Sequence, residues 1–313
     1  MKELDEKDKL IIEYLMHNAR LTTTKLAKLT GMTQPTIVYR MKQLEKEGYI
    51  SKYDAILNLN LVKTPIEIYF INVPTFLSQE FENEIKNNPK IESLFRLANK
   101  MNYYISGFLK KEDKKQLESY FNKNKLEFKN YTQKDLRLLP FSIFNSELKL
   151  NQEINTEAHS IDIDEKDIKI INAMMDRGAR DSIFKLSERT KLSDDIVLYR
   201  LKKLLKANAF PLFLAQPGTE KFNIQLDILL LSLKDITLDE LTREFSKIKK
   251  TVHIIDLGRG KFFTQLLTKD FADFKDTLDK VCNALRKNLK SLEVFHTKEW
   301  VFVNRINLSK GDF

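Results

Sequence analysis

Thr36, Tyr39, Arg40 and Gln43 fall on one stripe of a short segment whose opposite stripe is Ile37, Met41 and Leu44, with Thr33 and Gln34 at its N-terminal end. At helical spacing the first set faces outward and the second inward. The outward set has the chemistry that reads a DNA duplex. A glutamine amide bonds adenine in two places, and a threonine meets a base edge or a thymine methyl. Arg40, Lys42 and Lys52 suit phosphate, which fixes position rather than sequence. A plainer reading stays open beside this one: Thr33 as a helix cap only, and Arg40 packed over neighbouring helices or paired with an acid.

The same pattern occurs twice. Tyr39-Arg40-Met41-Lys42-Gln43-Leu44 returns as Tyr199-Arg200-Leu201-Lys202-Lys203-Leu204, and Leu4-Asp5-Glu6-Lys7-Asp8 returns as Ile163-Asp164-Glu165-Lys166-Asp167. Matching order and character argue for a duplicated module. Tyr199, Arg200, Lys202 and Lys203 keep the basic face. The tip differs, because Asp194 and Asp195 replace Gln34 and Pro35, and Ile196 replaces Thr36. Two carboxylates there would repel phosphate, so weaker or less selective binding is expected of the second copy. Their plainer role is to stabilise the first turn of a helix.

The elements that must position these residues can be read around them. A first helix follows Asp5, a second follows the cluster Thr22 to Thr24, and Gly31-Met32 makes a tight turn. Thr33 caps a third helix, with Pro35 in its first turn. Gly48 ends it, and Tyr49 to Leu57 reads as a strand or wing. That is a winged helix-turn-helix. Strands and helices in the order βαββαβ follow, which is the ferredoxin-like plan. Its final strand lies somewhere in Leu126 to Leu139. The expected class is therefore α+β, with two winged helix-turn-helix domains each followed by a ferredoxin-like βαββαβ domain. The boundaries expected are 1–62 and 63–145, a polar linker over 146–162, then 163–216 and 217–313.

Composition bounds the function. The 313 residues carry a net charge of +9 with a pI near 9.2. The basic surplus concentrates in the repeated module: Arg20 to Lys52 holds seven basic and two acidic residues. That is where a footprint on phosphate should lie. No apolar run is long enough to span a bilayer, and no signal core follows Met1, so no membrane partner and a cytoplasmic location are expected. One cysteine and four histidines leave little for a metal site, and no triad or paired-carboxylate site stands out. We therefore expect double-stranded DNA as the partner, no cofactor, no metal and no catalysis.

At these residues the chain resembles the Lrp/AsnC family of transcription regulators. The resemblance rests on Leu4-Asp5-x-x-Asp8, Gly31-Met32-Thr33, Tyr39-Arg40-Met41-Lys42-Gln43-Leu44-Glu45, and Gly48-Tyr49-Ile50 leading to Tyr53. It implies a regulator whose sheet domains sense a small effector and pair two protomers. Two units in one chain imply a one-chain pseudo-dimer, with homo-oligomers through the sheets as a further expectation. Family effectors are often amino acids held at a Gly-x-x-Asp turn between the central strands. The corresponding turns here are Asn99-Lys100-Met101-Asn102 and Gly258-Arg259-Gly260-Lys261. Neither has the carboxylate that would hold an ammonium group. Asn99, Asn102, Gly258, Arg259, Gly260 and Lys261 are thus the candidate effector positions, with the second turn suited to an anion or serving as a plain hairpin. Tandem folds of this kind also occur in sirohaem decarboxylases, which the architecture resembles. Their histidine-rich turn is not evident here: that stretch reads Ser93-Leu94-Phe95-Arg96, with His253 alone in the second half.

Overall fold

The computed structural model describes residues 4–139, 141–144, 154, 157–303 and 308–313. Most of the expected linker, 146–162, lies outside the described residues. The first head consists of α1 (Glu6–His17), α2 (Thr23–Thr30) and α3 (Gln34–Lys46), followed by β1 (Ile50–Ile56). Each helix starts on a side-chain cap. Asp5 accepts from the Asp8 N–H, Thr22 from that of Lys25, and Thr33 from that of Thr36. Gly31 closes α2 in the left-handed region at φ +66°, where glycine pays no steric penalty. Ile11, Ile12, Leu15, Leu26, Ile37, Met41 and Leu44 form the head's core.

Next come β2 (Ile66–Asn72), α4 (Ser78–Asn87), β3 (Ile91–Leu97), β4 (Tyr103–Phe108), α5 (Lys111–Lys123), β5 (Glu127–Thr132) and β6 (Asp135–Leu138). The single final strand expected between Leu126 and Leu139 is thus two stretches. The second head repeats the first with α6 (Glu165–Ala173), α7 (Ile183–Thr190), α8 (Asp194–Lys206) and β7 (Leu212–Pro217). A short α9 (Thr219–Phe222) leads to β8 (Gln225–Leu233), α10 (Leu238–Phe245), β9 (Thr251–Gly258), β10 (Lys261–Thr268), α11 (Phe271–Leu285) and β11 (Leu289–Val303). The class is α+β, with a helix-turn-helix followed by βαββαβ twice over. Ser193 precedes α8 but makes no capping bond with its side chain.

The two units interlock. Strand β1 pairs antiparallel with β7, so each head's wing strand is completed by the other head. Arg20 donates to the Ala179 carbonyl, and Arg180 donates to those of Ala19 and Leu21, a reciprocal clasp. The nine strands run β5-β2-β4-β3-β11-β8-β10-β9-β6. The two outermost, β5 and β6, are one chain segment interrupted only by Gln133 and Lys134. Gln133 N–H donates to Ile66 O on β2, and Lys134 N–H donates to Asp256 O on β9. The two ends of the sheet are therefore joined through one chain segment and the sheet curls into a barrel, with β5 and β6 each paired on one side. Strand β11 pairs with β8 of its own unit up to His296, then with β3 of the other from Thr297. In the same way β5 pairs with β2, and β6 crosses to β9. The expected domains at 63–145 and 217–313 thus share one barrel.

Alternation along the strands places Ile68, Phe70, Phe95, Leu97, Tyr104, Ile228, Leu230, Ile255, Phe263 and Phe295 inside the barrel. Phe70 and Phe295, from different units, stack with centroids 4.3 Å apart. The outer faces are covered by α4 and α5 on one side, and by α10 and α11 on the other. The pairing expected between protomers is made here within one chain.

Candidate nucleic-acid interface and the adjoining cavity

Helix α3 presents Thr33, Gln34, Pro35, Val38, Tyr39 and Lys42 to solvent, with Tyr39 61% exposed. Thr36 and Gln43 are half-buried. Thr33 Oγ1 lies 2.8 Å from Thr36 Oγ1, and Gln34 Nε2 donates to Thr23 Oγ1 at 3.0 Å. The second bond ties the tip of α3 to the start of α2. Helix α8 has the same burial pattern, with Tyr199 and Lys202 exposed.

Arg40 is engaged elsewhere. Its guanidinium donates to Asp5 and Asp8 at 2.7 Å each. Asp8 is almost fully buried, so its charge needs a cation beside it. Arg200 repeats the arrangement with Asp164 at 2.5 Å and Asp167 at 3.1 Å. Burial works the other way, but Arg200 and the Asp167 and Lys166 N–H groups hold the Asp164 carboxyl down to about 2. Lys203 is likewise taken, by the Asp162 carbonyl and Asp167. Of the two readings open for Arg40, its geometry follows the ion pair. The signal was in the sequence, since the Asp-x-x-Asp lead-in and the Tyr-Arg motif recur together. Lys25, Lys28 and Lys42 are the exposed cations around the first tip. Lys52 stands apart from them. It pairs with Asp54 at 2.8 Å and lines the cavity described below.

The candidate effector turns hold the fold together. Asn99 donates to Val294 O and accepts from His296 N–H, where β11 crosses between units. Asn102 bonds both backbone groups of Val73. Gly258, Arg259 and Gly260 all have positive φ and make the tip of the β9–β10 hairpin. Lys261 sits 5.1 Å over the Tyr131 ring.

A cavity of about 980 Å³ lies between the barrel mouth and the second head. Its walls include Ser93, Phe95, Tyr104 and Ser106 from one unit, and His253, Ile255, Phe263 and Gln265 from the other. The roof is the end of α6, the turn Met175–Arg177, and Arg189 to Lys191. Phe95 stacks on Tyr104 at 5.2 Å, Tyr104 on Phe263 at 5.7 Å, and Phe263 on His253 at 5.8 Å. The Nε2 of His253 is buried without a hydrogen-bond partner. Burial lowers the imidazole to about 4, so it is neutral near pH 7. Burial also raises the Glu92 carboxyl to about 7, against an opposing pull from Lys52. Sequence reasoning noted His253 but had no signal for the cavity, which forms only where three distant segments meet.

Comparisons with known proteins agree with this layout. Residues 4–51 match the family model described as winged helix-turn-helix DNA-binding. The chain is 28% identical over 108 residues to the leucine-responsive regulatory protein of Haemophilus influenzae, covering 33% of this chain and 65% of that protein. It is 26% identical to the proline dehydrogenase transcriptional activator of Rhodobacter capsulatus, over 33% of this chain and 69% of that one. It thus spans about two thirds of the length of these regulators. Over nearly the whole chain the fold is similar to that of the siroheme decarboxylase NirDL. The TM-score is 0.63 at 12% identity, with 98% of this chain and 96% of that chain covered. The first module is thus similar in sequence to regulators of this kind, and the fold repeats the helix-turn-helix and βαββαβ unit twice in one chain.

Proposed function

We propose that the protein is a sequence-specific regulator that binds double-stranded DNA as a one-chain pseudo-dimer, its first head reading the sequence. The observation that carries this reading is the exposed face of α3. Thr33, Gln34, Tyr39 and Lys42 stand free of the core at the end of the helix that enters the major groove in such motifs. The regulators with which the first module shares its sequence support the same reading. Two unlike heads suit an asymmetric site, one strong half-site beside a weak one. Selection of genomic fragments on the purified protein at moderate salt tests it. A discrete motif, with affinity falling steeply as salt rises, is the expected result. Broad enrichment without a motif would instead indicate an architectural, non-specific DNA-binding protein.

A second reading is catalytic. The whole-chain likeness to a siroheme decarboxylase and a large cavity with an unpartnered histidine favour it. Titration with an iron-uroporphyrin, followed by absorbance and by mass spectrometry of the recovered pigment, separates the two. A spectral shift with loss of carboxylate as carbon dioxide would establish the enzyme.

A further inference from the structure

Arg20 and Arg180 stand at matching points of the two units, directly after Ala19 and Ala179. Each reaches across to the other head. Arg20 donates to the Ala179 carbonyl at 2.9 Å and lies 5.5 Å over the ring of Phe213. Arg180 donates to the carbonyls of Ala19 and, at 3.0 Å, Leu21, and lies 5.3 Å over the ring of Tyr53. Because the exchange is reciprocal, the two guanidinium groups come together about the pseudo-twofold axis between the heads. Each is close enough to act on the other. Burial, and then the charge of Arg180, push the Arg20 guanidinium below its usual value.

A clasp accounts for the carbonyl contacts but not for the charges. Two like charges held together in a half-buried place cost free energy that an opposite charge would recover. Neither arginine makes an ion pair among the described residues. Asp181, beside Arg180, is taken by Arg189 at 2.6 Å and Lys185 at 2.8 Å, and Glu45 is bonded to the Tyr53 hydroxyl at 2.6 Å. The carbonyl bonds all come from Nη1, so the Nε and Nη2 donors of both forks have no partner among the described residues. The pair also lies on the side away from the barrel. Lys52, Asp54 and Ile56 of β1 line the cavity at the barrel mouth, whereas Tyr53 and Phe213, which carry the arginines, are absent from its walls. Alternation places those two rings on the opposite face of the β1–β7 ribbon. There Leu21, which accepts from Arg180, directly precedes Thr22, the cap of α2, and Thr23 accepts from Gln34 at the tip of α3. In the second head Ser182, the cap of α7, follows Arg180 by two residues. The arginine pair therefore sits between the two helix-turn-helix tips.

We infer that Arg20 and Arg180 form an oxyanion site, and that its occupant is the phosphate backbone of the DNA between the two half-sites. Guanidinium forks match phosphate oxygens in geometry as well as charge. A contact at this point would fix the protein's register on the duplex without reading a base. The DNA half of the inference rests on the DNA-binding reading; the oxyanion half does not. A free inorganic phosphate offers the same chemistry, but only the DNA backbone would make the pair contribute to the salt dependence of duplex binding.

Two double variants separate charge from clasp. Arg20→Gln with Arg180→Gln keeps an amide donor at each position and removes both charges; Arg20→Lys with Arg180→Lys keeps the charges. On a selected duplex, the slope of log affinity against log salt should become shallower by about 1–2 in the glutamine pair, and the lysine pair should regain most of it. Ethylating the phosphates midway between the half-sites should weaken wild type at least fivefold and the glutamine pair less than twofold. Pyrophosphate is the probe for a free oxyanion. It should bind wild type saturably, one per chain by calorimetry, and the glutamine pair at least tenfold more weakly. Loss of the clasp alone would reduce the folded fraction without changing the slope, so an unchanged slope and ethylation pattern overturn the DNA half. If pyrophosphate still distinguishes wild type from the glutamine pair, the site holds a free oxyanion instead. If it does not, and the slope is also unchanged, the whole inference falls. A shallower slope without pyrophosphate binding supports the DNA backbone as the occupant. Failure to select any duplex overturns the DNA-binding reading and the DNA half with it, while the pyrophosphate titration alone decides the oxyanion site.

Discussion

Arg40 and Gln34 sit on the same helix and separate two kinds of effect. Arg40 holds a nearly buried Asp8 and an exposed Asp5, so Arg40→Ala removes a charge-assisted bond from a carboxylate that water does not reach. A loss of about 1–3 kcal/mol in unfolding free energy is expected, measured by urea denaturation. Gln34→Ala removes only an exposed bond to Thr23 and should leave stability nearly unchanged. Its cost should fall on DNA instead, about tenfold in affinity for the selected motif and little for unrelated duplexes. If Arg40→Ala unfolds no more easily than wild type, the ion pair is ornamental. A third residue reports on the cavity. Glu92 is raised by burial to about 7 from an ordinary value near 4.5, so the folded state holds its proton where the unfolded state has lost it. Its contribution is therefore full below about 4.5 and declines as pH rises through about 7. Glu92→Gln should raise Tm at pH 8 and change it little at pH 5. His253, neutral by burial, has the opposite sign over about 4 to 6.5, so the wild-type profile alone would hide both.

At the level of elements, the helices were legible because each carries its own signals: a cap at Asp5, Thr22 and Thr33, and an apolar stripe at helical spacing. The wing was legible as a strand but not as a shared one. Nothing local to Ile50–Ile56 says that its partner lies at Leu212–Pro217, because register between distant strands is set by tertiary packing. The split of the last strand into β5 and β6 is hidden for the same reason, since Gln133 and Lys134 mark a change of partner rather than a change of conformation. The cavity escaped because its walls come from three segments that meet only in the fold. What the sequence does localise is the difference between α3 and α8. Asp194 and Asp195 are exposed at the tip of α8, where Gln34 and Pro35 stand on α3. Neither is tied into an ion pair among the described residues, so nothing shields their charge from an approaching phosphate. Asp194→Gln with Asp195→Pro should strengthen binding to the selected fragments several-fold and extend the motif on its weak side. Unchanged affinity would mean that the second head does not reach DNA.

For the whole molecule, the decisive fact is that the two units are joined at several places along the chain. Strand β1 needs β7, β11 needs β3, β6 needs β9, and the clasp of Arg20 and Arg180 spans both heads. Glu13 of the first head accepts from Ser142, Ile143 and Phe144, and Asn172 of the second exchanges bonds with Leu308. Each head is thereby pinned to the chain that leaves its own half of the barrel. Covalent continuity between the halves should then matter little to the assembled protein. A protease site inserted after Asn151, within the polar stretch read as a linker, provides the test. After complete cleavage the halves should elute together at the mass of one intact chain and bind the selected DNA with wild-type affinity. If the halves separate on dilution to nanomolar concentration, the barrel depends on the tether, and the protein is two weakly paired units rather than a single body.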